Sequence, residues 1–220
     1  GKRLNDRERI REQVEVMDEI VRVAEERAVD AVVVAGDLFD TFNPSVEAIE
    51  LLYGTLYRLA NGGKRLVVAI AGNHDSPDRV DSPDVLARLH GIFFVGNPLV
   101  NFTSAVTDGG IRLIRSEEGF SEFRLPGYDY PLRVVHTPYA NSVRMCRFLG
   151  VEEQDVELRA VLREHWGALA AKYCDGAGVN LLVTHLYVTR EGGYMPEEPE
   201  DERPINIGGA DAVYSSMIPE

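Results

Sequence analysis

Several things are scarce in this chain of 220 residues. It holds only two cysteines, Cys146 and Cys174, both in helix-like sequence with no Cys-x-x-Cys spacing. That excludes a disulfide-stapled mini-protein and makes both thiols expected core fillers. No secretory pattern precedes them, so a reducing cytosol is the expected compartment. Long apolar runs are also missing. The two cleanest, Ala31–Ala35 and residues 66–71, fall far short of the roughly 20 residues that a membrane span needs, so no contact with a bilayer is expected. Positive charge is in deficit: 23 Lys and Arg stand against 36 Asp and Glu, a net charge of −13. This argues against unaided, non-specific binding to nucleic acid or to an anionic membrane, and any polyanionic partner needs a local explanation. No long repeat and no clear domain linker interrupts the chain.

What is present is ordinary for a folded domain. Hydrophobic residues make up 45% and charged residues 27%, and the length predicts one large domain with a real core. Ile10, Val14, Met17, Val21 and Ala24 recur at helical spacing and predict an amphipathic helix over residues 6–28. A buried strand follows at Ala31–Ala35. Pro44 then offers a first helical position, Ile49, Leu52, Leu56 and Leu59 supply the stripe, and Gly62 and Gly63 end that helix before a second strand at 66–71. Helix, strand, helix, strand implies a parallel sheet.

Two Ser-Pro-Asp tripeptides, at Ser76 and Ser82, suit Ser as N-cap with Pro at the first helical position. Residues 92–136 carry short β-like runs at Ile92–Val95, 111–114 and 132–135, separated by Gly, Asn, Asp and Pro, which predict an antiparallel or mixed sheet. A long helix is expected over 152–173. A third buried strand is expected at 179–183, and an acidic, Gly- and Pro-rich loop over 191–203.

The informative feature is where polar residues fall. Three apolar strands each run straight into groups that can ligate a metal: Val-Val-Val-Ala-Gly-Asp37, Val-Ala-Ile-Ala-Gly-Asn73-His74-Asp75 and Leu-Leu-Val-Thr-His185. In open sheets of parallel strands, sites gather beyond the carboxyl ends of the strands, so Asp37, Asn73, His74 and His185 are expected to converge. Gly36 and Gly72 directly precede two of these groups and allow a sharp exit with close backbone approach. Taken singly, Asp37 and Asn73 read as turn residues and His185 as a bonded core histidine. Their joint occurrence at successive strand ends is what points to a site. His136, His90 and His165 lack that context and are assigned to the fold.

These motifs resemble those of the calcineurin-type binuclear metallophosphoesterases: Gly36-Asp37-Leu38-Phe39-Asp40, Gly72-Asn73-His74-Asp75, and His185 after a later strand. Pro44, the run Ser76-Pro77-Asp78-Arg79, Pro138-Tyr139 and Ile207-Gly208-Gly209-Ala210 narrow the likeness to the SbcD or Mre-type DNA repair nucleases. The resemblance implies a four-layer αββα fold of two mixed β-sheets flanked by α-helices. It implies Asp37 as a carboxylate bridging two divalent ions, with Asn73 and His185 as ligands of the second. A mixed oxygen and imidazole set suits Mn²⁺ without excluding Mg²⁺, Fe or Zn²⁺, and two such ions generate a hydroxide that attacks phosphorus in line. His74 is then the catalytic imidazole at the scissile phosphate or the leaving oxygen, oriented by Asp40. Asp75 reads as a structural cap. The family also implies DNA as substrate, cleaved as duplex by a 3′ to 5′ exonuclease and as single strand by an endonuclease. An SbcC-like coiled-coil ATPase and a second copy of the chain are its expected partners.

Two superfamily motifs, Asp-x-His and Gly-His-x-His, do not occur in these residues, and both gaps fall at the ends. The expectation is a metallophosphoesterase domain over 1–220 that lacks its first strand motif, its C-terminal motif and the capping region, and is inactive by itself. Basic residues for DNA are sought at Lys2, Arg3, Arg7, Arg9 and Arg11, and at Arg79 and Arg88. A solvated helix face explains them equally well. Two other readings stay open: a phosphatase or cyclic-nucleotide phosphodiesterase with the same ligands, and an inactive scaffold that binds a partner ATPase.

Overall fold

The computed structural model describes residues 3–4, 7–98, 100–103, 105–139, 158–192 and 213–219. A short antiparallel pair, β1 (Arg3–Leu4) and β2 (Arg7–Glu8), precedes helix α1 (Ile10–Glu26). A parallel sheet of order β3-β4-β5 follows, built from β3 (Ala31–Ala35), β4 (Leu66–Ile70) and β5 (Ile92–Val95). Its crossovers carry α2 (Val46–Ala60) and the short helices α3 (Pro77–Asp81) and α4 (Asp84–Ala87). The second sheet has the order β6-β7-β8-β9, from β6 (Arg112–Glu117), β7 (Phe120–Arg124), β8 (Leu132–Thr137) and β9 (Val179–Thr184). Its first two junctions are antiparallel and the β8–β9 junction is parallel. Helix α5 (Leu158–Tyr173) precedes β9, and a parallel pair, β10 (Val188–Thr189) with β11 (Val213–Tyr214), lies beyond it.

Side chains of a strand alternate between its two faces, and that alternation sorts the core into layers. Val67, Ala69 and Ala71 pack with Val21, Ala24, Leu52, Leu56 and Leu59 of α1 and α2. Leu66, Val68 and Ile70 face the other way, onto Leu113, Phe123, Leu132 and Val134 of the second sheet. Phe120 and Val135 pack beneath Leu162, Trp166 and Leu169 of α5. Helix, sheet, sheet, helix is the expected αββα order.

Some expectations need correction. Ile92–Val95 belongs to the parallel sheet, with Val68 opposite Phe93. An uninterrupted apolar run buried on both faces fits a strand held between helices and a second sheet, not a half-solvated antiparallel strand. Ser45, not a helical Pro44, starts α2: its side chain accepts from Ala48 N at 3.3 Å, the N-cap bond that Pro44 has no side-chain oxygen to form. At the second Ser-Pro-Asp, Ser82 closes α3 and Pro83 caps α4. Strand β7 has no counterpart among the runs read from the sequence. The predicted helix over 152–173 is observed from Leu158 onward; residues 152–157, Cys146, 207–210 and 193–203 lie outside the described residues. Cys174 is half-buried, not a full core filler.

Two buried polar side chains cross-link elements of the fold. Arg65, 5% exposed, donates to the carbonyls of Ala24, Val29 and Leu59 at 3.3, 2.8 and 2.9 Å. It thereby ties the last turns of α1 and α2 to the segment between α1 and β3. His136, 1% exposed, shares a 3.1 Å hydrogen bond between Nε2 and Ser121 Oγ. Burial pushes its imidazole down to about 3, and burial pushes His165 down as well.

His136 is therefore neutral in the fold, whereas in the unfolded chain it takes a proton near pH 6.5. Its stabilisation is complete above that value and is lost as pH falls towards 3, by up to about 1.4 kcal/mol per pH unit. Urea unfolding from pH 7 to pH 5 should show this slope. His136→Gln should lower stability at pH 7 and flatten the slope relative to the wild type. The difference between the two profiles isolates His136 from His165 and from Asp81, whose carboxyl is pushed up to about 6 by burial and which acts in the opposite sense. An unchanged slope in the variant would contradict the assignment.

Candidate metal centre

Strands β3 and β4 are parallel neighbours, so both end at the same edge of the sheet, with Ala35 opposite Ile70. The chain leaves β3 through Gly36 at φ 98° and Asp37 at φ 49°, a left-handed conformation that Asp tolerates better than most residues. Gly36 is required by close approach, since a Cβ there would collide with the His185 imidazole. A Cβ on Gly72 would collide with the Asp37 carboxylate.

One buried carboxylate ties the two exits together. Asp75 is fully buried and accepts from Leu38 N and Phe39 N, both at 2.9 Å, and from Gly72 N at 2.7 Å. Burial raises its pKa, and the three N–H donors pull the other way. Asp75 is structural, as expected, but it acts as a clamp between two loops. Ser76, not Asp75, is the N-cap residue of α3.

Around this clamp the structure brings Asp37, Asn73 and His185 together. His185 Nδ1 lies 2.8 Å from the Ala35 carbonyl, which assigns the proton to Nδ1 and leaves Nε2 with its lone pair. Nε2 then stands 3.1 Å from Asn73 Oδ1 and 3.5 Å from Asp37 Oδ1. Three groups able to offer lone pairs thus face one another, an arrangement that suits a metal ion among them. Separations of about 3 Å are those of adjacent ligands around an ion bound at about 2.1 Å. The backbone bond on Nδ1 is the support by which proteins orient a ligating imidazole. The donor set therefore fits a hard or borderline divalent cation.

The same set is short of charge. Among the described residues no three His, Cys, Asp or Glu side chains form a group that could hold a metal. The cradle offers one carboxylate, one imidazole and one amide.

His74 sits beside it. Its backbone N–H donates to Asp37 Oδ1 at 3.3 Å, and its Nδ1 is 3.1 Å from the main-chain carbonyl of Asp40. The contact with Asp40 thus comes from its peptide oxygen and not from its carboxylate. Tyr139, to which the sequence assigns no role, also borders the site. Its N–H donates to the Ala71 carbonyl at 2.8 Å, and its ring lies 6.5 Å from that of His185. His136 lies in the core, as assigned.

A model of the calcineurin-like phosphoesterase family matches residues 7–216. The SbcD component of the SbcCD nuclease from Bacillus subtilis is 32% identical over 223 residues, covering 100% of this chain and 51% of the relative. The protein of the same name from Rhodobacter capsulatus is 30% identical over 222 residues, covering 100% and 52%. The chain thus spans about half the length of these curated relatives.

If Asp75 holds the two exits, Asp75→Asn should cost about 2–4 kcal/mol, because the amide keeps the shape but turns donors toward three N–H groups. The urea midpoint measures this. A loss below about 0.5 kcal/mol would show that the loops are held by something else.

Proposed function

The chain belongs to the calcineurin-like phosphoesterase family, and from that premise we propose that its site hydrolyses phosphodiester bonds of DNA as part of an SbcCD-type nuclease. The observation that carries this reading is the acceptor cradle of Asp37, Asn73 and His185 with His74 beside it. Asp37 would face both of two divalent ions, with Mn²⁺ best suited to the mixed donor set, and Asn73 and His185 would hold the second. Bound there, the ions supply positive charge against the phosphoryl oxygens and an acidified water. The chain's own part is positional. His185 is oriented by the Ala35 carbonyl, and Asp37 by the His74 N–H. His74, with Nδ1 on the Asp40 carbonyl, offers Nε2 to the scissile phosphate or the leaving oxygen.

The incomplete ligand set is read as a domain whose remaining strands lie elsewhere in a longer polypeptide. Edge strand β3 is uniformly apolar yet leaves Val33 37% exposed, and edge strand β9 leaves Val179 44% and Leu181 36% exposed. Val33, Val179, Leu181, Tyr128 and Tyr130 line a cavity of about 260 Å³ between these edges. Exposed apolar edges of this kind call for a covering strand. Such strands would bring the ligands that are lacking.

The finer expectations belong to the same proposal: a 3′ to 5′ duplex exonuclease and single-strand endonuclease, a coiled-coil ATPase partner, and a cytoplasmic location. No described helix is long and apolar enough to cross a membrane. Dimerisation has its own support, because α4 and the turn after it expose Val85, Leu86 and Leu89 at 70, 74 and 57%.

In assays of duplex DNA, bis-p-nitrophenyl phosphate and nucleotide monophosphates, the complete natural protein should cleave the two diesters with Mn²⁺ and lose activity with chelator. Asp37→Ala should lower kcat at least 100-fold. Activity of the 220 residues alone that Asp37→Ala abolishes would refute the incomplete-site reading. Preference for monophosphates would favour a phosphatase, and full activity in chelator would end the metal reading. Leu86→Asp should shift the protein from dimer to monomer in sedimentation equilibrium. An unshifted mass would place the dimer contact elsewhere.

A further inference from the structure

A nuclease reading, on which this inference rests, leaves a charge problem. The chain carries −13, and part of its positive charge is already committed among the described residues. Arg9 pairs with Glu12 at 2.6 Å, Arg58 with Asp18 at 2.5 Å, and Arg133 with Glu122 and Asp175 at 2.9 and 2.7 Å. Arg88, a candidate DNA contact by sequence, lies 2.8 Å from Asp84 and donates to Thr103. It serves the fold.

Arg79 is different. It lies in α3, five residues beyond His74, and its Nη2 donates to Asn43 Oδ1 at 3.1 Å. Asn43 belongs to the segment after Asp40, whose carbonyl meets His74 Nδ1. The two side chains therefore bridge the same pair of loops, those leaving the carboxyl ends of β3 and β4. Arg79 forms no ion pair among the described residues. Its Nε is buried without an acceptor among the described residues. An orphan donor of this kind calls for an explanation, and a guanidinium with unfilled donors in a fixed fork matches phosphate oxygens. Five residues span at most about 17 Å, so Arg79 is within a few nucleotides of whatever His74 touches.

We propose that Arg79 anchors substrate: aimed by Asn43, its guanidinium binds a non-bridging oxygen of a backbone phosphate flanking the scissile one. The site then selects polynucleotides over substrates with a single phosphodiester. Its attraction for a polyanion is a local contact on an otherwise acidic chain.

The test uses the complete natural protein with Mn²⁺, comparing a duplex oligonucleotide with bis-p-nitrophenyl phosphate. Binding of labelled duplex is followed separately by anisotropy in EDTA across a salt series. Arg79→Gln should lower kcat/KM for the duplex about tenfold more than for the small diester, mainly through KM. It should also reduce the slope of log K against log salt by about one. Arg79→Lys should recover part of the KM and the full slope. Equal losses on both substrates would mean that Arg79 only tethers loops, and an unchanged duplex KM and salt slope would also overturn the proposal. If Arg79→Gln fails to fold, Asn43→Ala decides: a duplex KM raised threefold or more supports aiming, and an unchanged KM refutes it. A wild-type protein that cleaves the small diester but neither binds nor cleaves DNA sinks the nuclease reading and Arg79 with it. Wild-type DNA cleavage with a wild-type-like Arg79→Gln sinks the Arg79 proposal alone.

Discussion

Two loops leave neighbouring parallel strands at Gly36 and Gly72, and the buried Asp75 carboxylate accepts two backbone N–H groups from the first and one from the second. A charge taken out of water is tolerable only when hydrogen bonds replace its hydration, and each N–H that fills this one fixes a peptide plane in return. The bonds to Leu38 and Phe39 lock the residues directly after Asp37. That is what allows Asp37 to persist at φ 49°, a conformation costly for a residue with a side chain. The Gly72 bond sets the turn from which Asn73 and His74 project. Without the clamp, Asp37 and Asn73 would be two mobile turn residues, and His185 would have nothing to meet.

The second constraint comes from the layering. His185 directly follows β9 of the second sheet, yet its Nδ1 reaches the carbonyl of the last residue of β3 in the first. This contact is possible because β3 and β9 are the edge strands on the same side of the sandwich and touch there. The site is therefore a seam between two sheets, held in position by the apolar layer of Leu66, Val68, Phe93, Phe123 and Val134. Gly36 keeps the seam narrow, because any side chain there would occupy the space of the imidazole. Placing a site at a seam has a consequence: the same two edges that build the cradle expose Val33, Val179 and Leu181.

Much of this is legible in the sequence because it follows from local pattern. The apolar runs at 31–35 and 66–70 are unambiguous, and parallel strands carry whatever follows them to one end of the sheet. The meeting of Asp37, Asn73 and His185 can thus be anticipated, and the family resemblance supplies their roles. What cannot be read depends on partners distant in sequence. Phe-Ser-Glu-Phe-Arg at 120–124 looks too polar for a strand, and it forms one because Phe120 and Phe123 pack into different core layers. Ile92–Val95 has the same local text as a hairpin strand, and only its burial between α2 and the second sheet makes it parallel. Arg65 resembles any surface arginine until two helix-end carbonyls and that of Val29 are brought to it. The Asp40–His74 contact differs in kind from its expectation, because sequence shows the carboxylate while the fold presents the peptide oxygen.

The acidic balance of the chain also constrains how a polyanion can be held. At physiological ionic strength charges are screened beyond about 8 Å, so the −13 does not act at the site as a whole; only groups within that distance do. Paired cations such as Arg88 and Arg133 contribute little there, since each is nearly cancelled by a carboxylate within 3 Å. Inside the site the fixed charges are the carboxylates of Asp37 and Asp75, set against whatever cation the acceptor cradle holds. Two carboxylates beside an empty cradle repel phosphate, and a divalent ion held there would offset both charges. Substrate affinity should therefore follow cation occupancy of the cradle before any chemistry occurs, and long-range steering should contribute little to the rate of encounter.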